Sequence, residues 1–129
     1  MKKETTSYTS EVESSIFPIT LTEKIKYRNF SNFEMLNEAV DKDGLTIQIN
    51  NLVTVQVHND KADNKDYHVY VVVTPEKIYY TSSESFAREC ADILQLIADS
   101  PDDKVEPIFN IIKKPSKNYS GSFITCNLV

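Results

Sequence analysis

Five lysines and three aromatic residues form the pattern in this chain that is richest in chemistry. Lys61 and Lys65 follow a long alternating stretch, and Lys113, Lys114 and Lys117 sit in and around "KKPSKNYSG" together with Tyr119. Tyr70 and Phe123 fall at the outward parity of apolar strands, beside His68 in one case and Thr125 and Asn127 in the other. An ammonium pairs with a phosphate and an aromatic ring stacks on a base, worth roughly 1 to 3 kcal/mol per base, so the combination suits single-stranded nucleic acid. Lysines in turns are often merely solvated, and Tyr and Phe enter strands for propensity alone. The weight of the reading therefore rests on the eight residues together.

Catalytic chemistry finds no comparable support. His58 and His68 stand in no nucleophile–base context. The hydroxyls of "TSSESF" are those of a helix start, and the Asp41/Asp43 and Asp102/Asp103 pairs flank helix ends, where acids commonly mark loops. With two glycines there is no phosphate-cradling loop. The expectation is a protein that is not an enzyme, with no catalytic residue, no metal and no cofactor. Cys90 and Cys126 alternate into apolar faces and read as reduced core residues.

The elements that must hold these residues follow from periodicity. "LTIQINNLVTVQVHND", residues 45–60, alternates apolar and polar until Asn51 interrupts the apolar row, predicting a long strand with a bend at Asn50-Asn51. Its polar residues, including Gln48 and Gln56, are expected to line one groove. "YHVYVVVT" and "IYYT", joined by "PEK", predict a hairpin, with one of Tyr79 and Tyr80 facing away from the core. Phe86, Cys90, Ile93, Leu94 and Ile97 predict an amphipathic helix of about 16 residues, capped through Thr81 and Glu84 and stopped at Ser100-Pro101. "VEPIFNII" and "SFITCNLV" predict two more strands. Upstream, Ser31 and Glu34 have capping-box spacing for a short helix near 32–40, and Gly44 turns the chain into the long strand.

That order, strand-strand-strand-helix-strand-strand, predicts an α+β class, mainly antiparallel β, as an OB-like five-stranded partly open barrel with a short N-terminal helix; an α+β sandwich in which a meander of strands packs one helix has the same order of elements. The lysines then occupy the two loops with which such barrels grip oligonucleotides. Residues 1–15 are polar and are expected to form a flexible N-terminal arm before a single domain over 16–129.

Net charge is −5 over 129 residues, unevenly spread: 82–103 carries six acids and one Arg, while 104–129 carries four lysines and one Glu. "MKKETTSYTSEVESS" contains no apolar run of the secretory kind, and nothing approaches the roughly 20 residues of a membrane span, so a cytoplasmic location is expected.

Residues 66–129, through "YVVVTPEKIYYTSSESF", the helix and "IIKKPSKNYSGSFITCNLV", resemble small single-stranded-DNA-binding-type proteins of phages and mobile elements from low-GC Gram-positive bacteria. The resemblance implies binding of replication or recombination intermediates in the host cytosol as an oligomer, with replication or recombination proteins as partners and no membrane. The competing expectation is a small acidic phage protein that inhibits a host protein. There the acidic helix, with Glu84, Glu89, Asp92, Asp99, Asp102 and Asp103, would imitate nucleic-acid phosphates.

Overall fold

A computed structural model of the chain describes residues 8–60, 65–115 and 122–129. It is an α+β structure whose mostly antiparallel strands form two sheets that do not close into a barrel. The element order begins β1 (Tyr8–Ser15), α1 (Leu21–Arg28), a 3-10 turn (Phe30–Asn32), β2 (Glu34–Met35) and α2 (Leu36–Ala39). It continues with β3 (Leu45–Gln48), β4 (Asn51–Asn59), β5 (Asp66–Val73), β6 (Ile78–Thr81), α3 (Glu84–Asp99), β7 (Ile108–Pro115) and β8 (Ser122–Leu128).

The alternating stretch is two strands in two sheets. β3 pairs with β7 in a three-stranded sheet, β3-β7-β8, and β4 pairs with β5 and β1 in a five-stranded sheet, β1-β4-β5-β6-β2. The chain changes sheets at Ile49-Asn50, whose amides donate to Pro107 and Val73 carbonyls at 2.9 and 2.7 Å. Asn51 then anchors the corner. Its Oδ1 accepts from the Phe17 amide at 3.0 Å and the Leu52 amide at 2.9 Å, and its Nδ2 donates to the Phe17 carbonyl at 3.0 Å. Those bonds explain how an amide that breaks the apolar row is tolerated at 7% exposure.

Both faces of the five-stranded sheet carry a core. One contains Val53, Val55, Val57, Val69 and Val71 under Tyr27 and Phe30 of the N-terminal segment. The other joins Leu52, Val72 and Tyr79 to Phe86, Cys90 and Leu94 of α3 and to Phe109, Ile111 and Ile124 of the second sheet. Tyr79 and Tyr80 consequently both pack, one in each core, because neither side of β6 is left bare. Cys90 and Cys126 are free and buried.

Three local expectations change. Residues 8–15, read as part of a flexible arm, are a paired edge strand, bulged between Val12 and Ser14. The predicted helix near 32–40 is reduced to the turn of α2 and has no side-chain cap at its start. The N-terminal capping box lies instead at Thr20 and Glu23, opening α1: Thr20 Oγ1 accepts from the Glu23 amide at 3.1 Å and Glu23 Oε1 from the Thr20 amide at 2.8 Å. At α3 the cap is Ser83 rather than Thr81. Gly44, at φ +87°, makes the turn into β3; a Cβ there would sit 3.0 Å from the Ile111 carbonyl oxygen, so only glycine fits without strain.

Candidate nucleic-acid interface

The β7–β8 hairpin positions the part of the predicted site that comes together. Lys114 pairs in register with Phe123, Ile112 with Thr125 and Asn110 with Asn127, while Thr46 of β3 lies opposite Asn110 and donates to its Oδ1 at 3.3 Å. Residues in register across antiparallel strands share a face. Their neighbours Phe109, Ile111, Ile124 and Cys126 point the other way, into the core. The outer face thus presents Phe123, Ile112 and Thr125 half-buried, and Lys114, Asn127 and Thr46 exposed. Ile112 and Phe123 join neither core.

Lys113 is exposed but shares its register with buried Ile124, so the two adjacent lysines straddle the sheet. Among the described residues no ion pair engages Lys113 or Lys114. The outer edge of β8 is occupied by α3: the Ile124 carbonyl accepts from Ser85 Oγ at 3.2 Å, and the Cys126 amide donates to Glu89 Oε1 at 3.2 Å. This helix therefore blocks strand addition along β8 while leaving the sheet's outer face open.

Tyr70 lies elsewhere, on the five-stranded sheet. In register with Thr54 and Thr81, it is half-buried and packs on the core under α3, beside Ala87, Arg88 and Glu84. Burial raises its phenol pKa, and the Glu84 and Glu13 carboxylates raise it further, against Arg88. Its ring stacks on His68 at 6.3 Å between centroids. The His68 Nε2 meets Glu13 Oε1 at 3.0 Å, reached from the bulge of β1.

Farther along the same face, His58 is held between two carboxylates, with Nδ1 2.8 Å from Asp66 and Nε2 2.8 Å from Asp60. Hydrogen bonding to Asp66 is the main cause that raises its pKa. This is an acidic setting, unfavourable to phosphate.

Lys65 is exposed at the start of β5, where its carbonyl accepts from the Asn59 amide at 2.7 Å. That places Lys65 and Lys114 at opposite ends of the 45–59 stretch. Lys61, Lys117 and Tyr119 lie outside the described residues. The polar residues of the alternating stretch do not share one groove: Thr46 and Gln48 belong to the second sheet, Thr54, Gln56 and His58 to the first.

Ile108 and Ile112 on the outer face were not in the sequence-predicted set, although the parity that turned Phe123 outward applies to them as well. Among the described residues no cluster of His, Cys, Asp or Glu is suited to a metal ion, and no helix is long and apolar enough to cross a membrane. Comparison of the chain with models of known protein families, with curated proteins and with solved structures finds no match.

Proposed function

We propose that this protein binds single-stranded DNA through the outer face of the β3-β7-β8 sheet, in the replication or recombination of a phage or mobile element. The observation that carries the reading is the Lys114–Phe123 register pair on a face whose apolar side chains join neither core. Phe123 offers a ring for base stacking, Lys114 a counter-charge for the backbone, and Thr125, Asn110 and Thr46 hydrogen-bonding groups. Lys113 and Lys65 contribute longer-range attraction, and Lys61, Lys117 and Tyr119 belong to the same proposal. Tyr70 has the weakest case, since carboxylates surround it and its ring packs on the core.

An OB-like description of the fold belongs to this proposal. In its favour, one bent stretch serves two sheets, a β5–β6 hairpin follows it, and a helix precedes a final hairpin whose first strand pairs back to β3. The ring stays open because the edge of β8 bonds α3 instead of β6.

Fluorescence anisotropy with labelled oligothymidine at two salt concentrations tests the function. Binding should weaken with salt, at roughly 0.7 counterion per neutralised phosphate on a single strand. Lys113→Glu/Lys114→Glu should lower affinity with the fold intact, whereas charge reversal at Asp92 should do little; Glu89 is left in place because its carboxylate holds the Cys126 amide. Absence of binding at micromolar protein in low salt would overturn the proposal.

A further inference from the structure

At the C-terminal end of α3 the surface changes character. Ile93, Leu96 and Ile97 of the helix, Val105 of the following loop and Leu128 of β8 line a groove of about 320 Å³. Leu96 is 67% exposed and Val105 43%, so two large apolar side chains stand in water beside half-buried ones. The rim is acidic. Asp103 lines the groove, with Asp102 beside it in sequence; Asp99 lies one turn beyond Leu96, Asp92 one turn before it, and Glu106 follows Val105, which Lys104 precedes.

Across residues 99–106 four carboxylates face a single cation, Lys104. The helix itself adds to the negative potential, since its carbonyl end points here and its last turn holds no basic residue.

We infer that this groove docks a short basic amphipathic segment of a partner protein, its apolar side chains in the groove and its lysines or arginines on the carboxylate rim. Charge complementarity selects this occupant. A second copy related by a two-fold axis would set the same carboxylates against each other, and a nucleic-acid backbone would meet like charge. An amphipathic helix laid in a groove presents anchors at i and i+3 or i+4, and Leu96 and Val105 are the exposed apolar side chains such anchors would cover. The face is separate from the Lys114–Phe123 surface, so either site can operate without the other.

The test titrates the full chain with a labelled amphipathic leucine–lysine peptide, alongside a leucine–glutamate peptide of equal length. The expected result is binding of the first and not the second, weakened about tenfold or more by Leu96→Glu, as for loss of an anchor at a contact centre. That substitution decides between docking and diffuse attraction, because extra negative charge would strengthen a purely electrostatic complex. Equal or tighter binding by Leu96→Glu therefore overturns the inference, as does equal binding of the acidic peptide or no binding of the basic one. Val105→Asp, on the loop, should repeat the loss independently of the helix, and circular dichroism should show both variants folded. A concentration-dependent dimer in sedimentation that Leu96→Glu disperses would assign the groove to a second copy and overturn the inference as well.

Discussion

The outer face of the three-stranded sheet and the open half of the five-stranded sheet are built from the same alternating strands, yet they offer opposite chemistry. On the first, Lys114 stands opposite Phe123 with no ion pair among the described residues. On the second, the basic side chains are histidines already engaged by acids: His58 by Asp60 and Asp66, His68 by Glu13. The difference comes from the neighbouring strand. β1 is an edge strand rich in Glu and Ser, and its bulge carries the Glu13 carboxylate to β5. β7 and β8 bring lysine and phenylalanine side by side instead. Similar strands thus become an acidic, internally paired surface or a surface free to meet an anion, according to what lies across from them.

The sharpest way to break this comparison is to exchange inward for outward positions one residue apart. Ile111→Ala should cost on the order of 2 to 5 kcal/mol through lost burial and a cavity. Ile112→Ala should cost less than about 1 kcal/mol, closer to the roughly 0.5 kcal/mol of ordinary surface changes. Urea unfolding of the two variants measures both; similar costs would mean that the outer face is covered.

The joint between the sheets comes next. Asn51→Ala removes the partner of both Phe17 backbone groups, and it should destabilise by roughly 1 to 3 kcal/mol in the same assay.

For the two aromatic candidates the expected effects divide. Phe123→Ala should weaken oligothymidine binding by roughly 1 to 3 kcal/mol with little change in Tm. Tyr70→Ala should lower Tm, since its ring packs on the core, and should leave binding nearly unchanged. The reverse pattern in anisotropy and thermal melts would move the interface to the five-stranded sheet.

The smallest effect concerns His58. Its pKa is raised in the fold, so its contribution to stability is fully present below the unfolded value of about 6.5 and is lost as pH rises through the folded value. The Tm difference between the wild type and His58→Asn should therefore be larger near pH 5.5 than near pH 8.5, and smaller in high salt, because the imidazole and its two aspartates lie at the surface. A difference independent of pH would mean that the aspartates do not hold the imidazolium.

Periodicity by itself determined α3, its 16-residue length and the buried row Phe86, Cys90 and Leu94, because one amphipathic face meets one core. It likewise determined the inward row Val53, Val55 and Val57, the outward place of Phe123, and the turn at Gly44, where a positive φ admits glycine. Only the tertiary structure decided that residues 45–59 serve two sheets. The break in alternation at Asn51 marks where the strand bends, but the bonds that carry it from one sheet to the other come from Phe17, Pro107 and Val73, none of them near in sequence. The same holds for β1, which lacks an apolar pattern because an edge strand is held by backbone pairing to β4. It holds also for Tyr79 and Tyr80, whose burial on opposite faces depends on two separate layers arriving from distant parts of the chain. A local pattern records how side chains alternate; what each face meets, and hence whether a lysine or tyrosine is free or enclosed, is set by long-range packing.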